Sequence, residues 1–314
     1  MAKDRDSDLP KVTVLVVSYN TAGHLRDCLA GLDGVHEVIV VDNASTDGSA
    51  ALVAESFPDV RLIANKTNRG FGAANNQGLD VMTGDVALLL NSDAVPTPGA
   101  VEELARAMLD PTVVACGGRL TFPDGRAQNS ACGRLTLWRV WCEQMLWEKI
   151  FPFSRWLNGY WLNDWIPSDR TTEVEQVMGA CLMIHPVERF DERFFLYCED
   201  TELCRRLRGH GRIVYVPSAV FTHELGASSS STRWESVARY NRGKELYFSI
   251  HHSPFAGLMC FVFDRCGAAL RLMLYCLFFG YMFISGDYSK FKNITLWWQV
   301  LTAPRLGPPR PPDS

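Results

Sequence analysis

Apolar residues fall in short unbroken runs through the first 120 positions and in one long run near the carboxy terminus. Residues 12–17, 38–41, 60–63, 86–90 and 113–116 form the short runs, without polar alternation. That pattern suits parallel strands covered on both faces. Segments 23–32, 47–56, 72–82 and 98–109 lie between them and read as helices. Such alternation predicts an α/β fold with a Rossmann-like, mostly parallel sheet and helices on both faces. The second run ends at Asp42-Asn43, and Ser45 or Thr46 is expected to cap the next helix, with Asp47 in its first turn. The fourth run ends at Asn91-Ser92-Asp93. Open α/β sheets bind ligands beyond the carboxyl ends of their strands. Carboxylates at two such ends point to a nucleotide pocket with a metal. The first strand runs into Ser18-Tyr19-Asn20-Thr21-Ala22-Gly23, not Gly-x-Gly-x-x-Gly, which counts against a dinucleotide-binding dehydrogenase.

Periodicity fades across 133–170, where six of the nine tryptophans fall: Trp138, Trp141, Trp147, Trp156, Trp161 and Trp165. This is either an irregular insertion with its own apolar cluster or an acceptor or membrane-contact surface. Order returns at 173–185, at a helix from about Glu199 and at a strand over 213–216. A Ser-rich loop at 225–232 and a helix at 234–250 follow. From 255 to 286 the chain is almost wholly apolar, broken by Asp264, Arg265 and Arg271. Its longest uncharged run, 272–286, has 15 residues. A spanning helix needs about 20. Segment 251–303 is therefore expected to associate with a membrane as an interfacial helix or helical hairpin. Lys290 and Lys292 would meet anionic headgroups, with Trp297-Trp298 at the boundary. A core or dimer-forming helix is the alternative. Residues 1–10 are expected to be flexible and 304–314, rich in proline, disordered.

A chain of 314 residues with 47% apolar content can bury a real core. The net charge of −4 argues against nucleic acid as a partner. Ten cysteines without a Cys-x-x-Cys pair indicate neither a zinc ribbon nor a redox motif. The charged amino terminus lacks the apolar centre of a signal peptide. A cytoplasmic protein, or one peripheral on the inner face of the cell membrane, is expected.

Six motifs then agree in order: 16–20 (Val-Val-Ser-Tyr-Asn), 41–49 (Val-Asp-Asn-Ala-Ser-Thr-Asp-Gly-Ser), 68–75 (Asn-Arg-Gly-Phe-Gly-Ala-Ala-Asn), 89–93 (Leu-Leu-Asn-Ser-Asp), 179–183 (Gly-Ala-Cys-Leu-Met) and 194–200 (Phe-Phe-Leu-Tyr-Cys-Glu-Asp). Together they resemble family 2 glycosyltransferases, and more narrowly the rhamnosyltransferase-like branch that builds bacterial polysaccharides. The resemblance covers residues 11–250, a nucleotide-binding half at 11–120 and an acceptor and catalytic half at 121–250. It implies the GT-A fold. It assigns Asp42, with Ser18 and Asn20, to the donor nucleotide, where a carboxylate can accept hydrogen bonds from a ribose diol or a base N–H. Asn68, Arg69 and Gly70 would close over that nucleotide. Asn91-Ser92-Asp93 stands where the family has Asp-x-Asp, leaving Asp93 to hold Mg²⁺ or Mn²⁺ on the diphosphate. His223, 23 residues after Asp200, would be a second metal ligand.

The resemblance makes Asp200 the base that takes the acceptor hydroxyl proton, with Glu199 tuning it. Without it, Glu199, Asp200 and Glu202 are ordinary acids of a helix start. Gly179, Ala180 and Cys181 would form the floor under sugar and acceptor. Arg239, Arg242 and Lys244 could hold the donor or a lipid diphosphate, or form a solvated face. The implied activity is inverting, metal-dependent transfer from a nucleoside-diphosphate sugar, dTDP-L-rhamnose first, to a polyprenyl-diphosphate-linked or growing glycan. A UDP-hexose or galactofuranose donor and a non-catalytic sugar-nucleotide binder are the alternatives.

Overall fold

Four parallel strands form one half of the sheet in the computed structural model, which describes residues 9–162, 165–224, 233–277 and 291–304. They are β1 (Val12–Ser18), β2 (Glu37–Asp42), β3 (Arg61–Ala64) and β4 (Val86–Asn91), in spatial order β3-β2-β1-β4. Helices α1 (Ala22–Ala30), α2 (Ser49–Ser56) and α3 (Phe71–Leu79) connect them. Successive strand residues face opposite sides, so each run feeds two cores. Val14, Val16, Val40 and Leu88 pack on the side of α1 and α4 (Ala100–Ala107). Leu15, Ile39, Val41 and Leu89 pack on the side of α3 and α7 (Glu199–Leu207).

Helix α2 starts later than the sequence predicts. Gly48 precedes it at φ 89°, and neither Ser45 nor Thr46 caps it. Asp47 Oδ1 instead accepts the Ser49 N–H at 3.0 Å. Ser45 and Thr46 have another task, described below.

The second half of the sheet is mixed. Strands β5 (Ala94–Pro96), β6 (Val113–Thr121), β8 (Thr172–Val174), β10 (Cys181–Ile184) and β11 (Arg212–His223) extend it, and β7 (Ala131–Cys132) pairs with β9 (Gln176–Val177) apart. β10 lies antiparallel between β4 and β6 and sets Cys181 opposite Leu90. β11 is three times as long as the four-residue run at 213–216 that predicted it. Its pairing with β6 slips between Val216 and Val220, and this irregularity accommodates Pro217. The strand then continues to pair His223 with Ala94 of β5.

The tryptophan-rich insertion contributes α5 (Leu137–Gln144) and α6 (Trp147–Ile150). With α8 (Arg233–His251) and α9 (Pro254–Leu277) it encloses a third core that includes Val140, Tyr160, Tyr247, Phe248 and Cys260. α10 (Phe291–Thr302) packs on α9. The charges that interrupt the apolar tail point inward. Asp264 pairs with Lys244 of α8 at 2.7 Å, Arg271 donates to the carbonyls of Glu143 and Gln144, and Arg265 to those of Val300, Leu301 and Ala303. One face of the tail is thus core. Among the described residues, no helix is long and apolar enough to cross a membrane. The expected flexible start (up to residue 8), the Ser-rich loop, residues 278–290 with Lys290, and the Pro-rich end from 305 lie outside the described residues.

Candidate active site

The strand ends of the first half are tied together by short polar side chains. Asn20, at φ 55°, donates its N–H to Ser45 Oγ and accepts the Thr46 N–H on Oδ1 at 2.7 Å, clamping the loops after β1 and β2. Buried Asp42 takes the Ser45 N–H on Oδ2 at 3.0 Å, while its Oδ1 has no hydrogen-bond partner among the described residues. A buried carboxylate oxygen left open calls for a donor, from water or from a ligand. Asn43 organises the facing loop: its Nδ2 donates to the Gly70 carbonyl and its Oδ1 accepts the Arg69 N–H. Gly70, at φ 87°, lies so close to Phe195 that a Cβ would come within 2.6 Å of its carbonyl oxygen. Only glycine allows this approach. Ser18, Thr21 and Ser92 form a buried hydroxyl chain, with Oγ–Oγ distances of 3.1 and 2.9 Å.

The long β11 delivers His223 to Asp93. His223 Nε2 lies 3.3 Å from Asp93 Oδ1, and both side chains are buried. Gln128 Nε2 donates to the His223 carbonyl, so its Oε1 is the acceptor facing His223 Nδ1 at 2.9 Å. Nδ1 therefore carries a proton, and Nε2 faces Asp93. A proton on Nε2 or a bound cation would each satisfy this close approach of imidazole and carboxylate. The donor set, one carboxylate and one oriented imidazole, fits a divalent cation that completes its shell with diphosphate oxygens. No cluster of three His, Cys, Asp or Glu ligands occurs among the described residues.

Across the cavity α7 opens with Glu199 and Asp200. The chain enters the helix through Tyr197 and Cys198, at φ 73° and 67°, a strained turn of the kind found at functional sites. Asp200 Oδ2 accepts the Gly179 N–H at 2.9 Å and its Oδ1 the Thr201 N–H at 2.7 Å. A Cβ on Gly179 would stand 3.0 Å from that of Asp200, which explains the small residue. Burial raises the Asp200 carboxyl above the ordinary range, although these N–H donors pull the other way. Glu199 is pushed up to about 8, first by burial and then by the charge of Asp200, and its Oε2 has no hydrogen-bond partner among the described residues. With a value of about 8, Glu199 holds its proton at neutral pH.

Asn68, Gly70, Ser92, Asp93 and His223 share one cavity of about 450 Å³ with Gly179, Ala180, Glu199 and Asp200. Ser18, Asn20, Asp42, Arg69 and Cys181 do not line it; Ser18 and Asn20 brace loops behind it. The basic residues of α8 lie elsewhere. Lys244 is fully buried against Asp264, so its reading as a diphosphate contact gives way to a structural one. Burial works against its ammonium, but Asp264 and Glu143 more than offset that and keep it charged. Arg239 pairs with Glu235 and Arg242 with Glu245, each along the same helix and outside this cavity.

Sequence reasoning missed the aromatic walls: Tyr160, Trp161, Tyr197 and Tyr240 line the cavity. Buried Tyr240 Oη has no partner among the described residues, and the Lys244 ammonium stands 4.8 Å from its ring centre. Only tryptophan density hinted at this surface. For Gln128 no sequence signal existed.

A pocket at parallel strand ends, facing a carboxylate pair at a helix start, is the architecture of GT-A glycosyltransferases. The glycosyl transferase family 2 model matches residues 13–162. An N-acetylglucosaminyl-diphospho-decaprenol L-rhamnosyltransferase of Mycobacterium tuberculosis is 30% identical over 262 residues, covering 76% of this chain and 84% of that protein. The O-antigen biosynthesis protein RfbC of Myxococcus xanthus is 27% identical over 256 residues, 74% of this chain and 19% of that one. Among solved structures, a mannosyltransferase from Pyrobaculum calidifontis in complex with GDP-Man and Mn²⁺ has a TM-score of 0.52 at 18% identity, covering 93% of this chain and 85% of that one. GalNAc-T7 with UDP, GalNAc and Mn²⁺ has a TM-score of 0.56 at 14% identity, covering 78% and 52%. The chain belongs to glycosyl transferase family 2, as a rhamnosyltransferase-like glycosyltransferase.

Proposed function

We propose that this enzyme transfers L-rhamnose, with inversion, from a nucleoside-diphosphate donor such as dTDP-L-rhamnose to a polyprenyl-diphosphate-linked glycan. The mycobacterial relative, named for an N-acetylglucosaminyl-diphospho-decaprenol acceptor, supports this choice of sugar and acceptor. A lipid-linked acceptor puts the reaction at the inner face of the cell membrane. The observation that carries the chemistry is the single cavity that unites Asp93 and His223 with Asp200.

The open Oδ1 of Asp42 would accept a hydrogen bond from the base or ribose, and the loop at Asn68 to Gly70 would cover the nucleotide. Asp93 and His223 would hold Mg²⁺ or Mn²⁺. When bound, that cation neutralises charge gathering on the leaving diphosphate. Asp200 would take the acceptor hydroxyl proton. Its two oxygens are fixed by backbone N–H groups but keep lone pairs free, and burial makes it a stronger base than a solvated carboxylate. Protonated Glu199 would donate from its carboxyl to a sugar or acceptor oxygen without adding a second negative charge. The aromatic walls suit the apolar faces of sugar rings.

The test is transfer from a panel of labelled nucleotide sugars into lipid-linked N-acetylglucosamine, with and without chelator. Label from the rhamnose donor alone, lost with chelator and in Asp200→Asn, is the expected result. Transfer from a UDP-hexose instead would overturn the donor. Tight nucleotide binding without transfer from any donor would favour a binding protein.

A further inference from the structure

We infer that the outward face of α9, together with the aromatic segment 147–156 beside it, docks on an anionic lipid bilayer. α9 lacks the polar outward face of an ordinary surface helix. Its buried positions include Asp264, and half-buried Arg271 and Arg265 also turn their charges onto neighbouring helices. Its exposed positions include Phe255, Leu258, Val262, Cys266, Met273 and Leu277, all apolar. They recur every three or four residues or a multiple of that step, so they form one stripe along a 24-residue helix. That stripe is about 33 Å long. Phe255 is 68% exposed, Met273 51% and Leu277 71%. A contiguous apolar patch of that length marks an interaction surface. By contrast, α4 turns Glu102, Glu103 and Arg106 away from its core.

Composition selects the bilayer as the occupant. Protein interfaces centre on Tyr, Trp and Arg anchors within a polar rim. The stripe has no such centre; its aromatics lie at the margins, as at a water–hydrocarbon boundary. On one side α5 meets α9 through Trp141 and Phe263, ring centres 4.9 Å apart, and leads to exposed Trp147, Phe151, Phe153 and Trp156. On the other, α10 exposes Trp298. The charge also fits. Lys149 and Arg155 are exposed among these aromatics, and the one acid of that segment, Glu148, is half-buried with its carboxyl pushed up by burial. Such cations meet anionic headgroups. The Lys244–Asp264 pair fixes α9 to α8, whose Tyr240 lines the catalytic cavity, so the bilayer would lie at a set distance from the site.

The inference rests on the proposed lipid-linked acceptor only for its purpose, since docking needs no turnover. Full-length protein is sedimented with phosphatidylcholine vesicles and with vesicles containing phosphatidylglycerol, beside Leu258→Glu/Val262→Glu/Met273→Glu. The anionic vesicles should bind the wild type about tenfold more tightly than the neutral ones, and the triple variant should lose about tenfold or more. Should that variant not fold, an environment-sensitive dye on exposed Cys266 and Cys276 in the otherwise unchanged protein should shift to the blue with anionic vesicles. Undiminished binding by a folded triple variant, or no dye shift, overturns the inference. So does a wild-type dimer that the substitutions dissociate without changing vesicle binding, because the stripe would then serve self-association. Vesicle binding without any sugar transfer would leave this inference standing and remove the proposed acceptor.

Discussion

The two sides of the cavity are held by different means. On the proposed donor side, Asp93 follows a parallel strand, and the loops beside and behind it are tied by short amide and hydroxyl groups within the same sheet half. On the acceptor side, Glu199 and Asp200 follow a strained turn, and the walls are rings borne by the insertion and α8, which α9 supports. The donor side is a local hydrogen-bonded frame. The acceptor side depends on the packing of segments far apart in the chain. Damage to one should therefore read out differently from damage to the other.

The largest effect tests the division of labour itself. Asp200→Asn should lower kcat by about 10²–10⁴-fold, the usual weight of general base catalysis, with little change in donor affinity. Loss of donor binding in a folded variant would show that the two sides are not separable. Next comes the tail's hold on the acceptor wall. Lys244→Met alone should cost about 3–5 kcal/mol in denaturant melts, because Asp264 is left buried and unpaired. Adding Asp264→Leu should recover most of that loss. An undiminished single variant would break the claim that this pair secures the wall.

The metal edge tests the donor frame. Gln128→Leu frees the His223 ring and should weaken Mn²⁺ binding by about 10–100-fold, measured by calorimetry without donor sugar. Equal affinity would remove Gln128 from any positioning role. The smallest effect concerns Glu199. Its folded carboxyl, near 8, lies above the ordinary 4.5, so the native state binds the proton more tightly. Stability from this group is present below about pH 4.5 and is lost as pH rises through about 8. Glu199→Gln should flatten that fall in Tm. An unchanged slope would place the titration elsewhere.

The donor half was legible because each strand is a local apolar run and each site residue follows its run directly, as Asp42 follows Val41. His223 entered by resemblance, but the strand that carries it did not, because Pro217 looks like a strand end and only pairing with β5 and β6 continues it. Lys244 was misread for a related reason. A lysine among arginines reads as a diphosphate contact or a solvated face until Asp264, twenty residues on, folds back against it. Tyr240 and Gln128 depend wholly on tertiary neighbours, which no periodicity records.

The buried ion pair also bears on how the protein can be shortened. Ending the chain after His252 would remove the outward apolar stripe, a natural choice for improving behaviour in water. It would also remove Asp264, leaving the Lys244 ammonium beside the Tyr240 ring with Glu143, 4.0 Å away, as its acid among the described residues. A trimmed enzyme would then look impaired in acceptor use for reasons unrelated to lipid. Exchanging Lys244 for Met in the same step would keep that artefact out of the comparison.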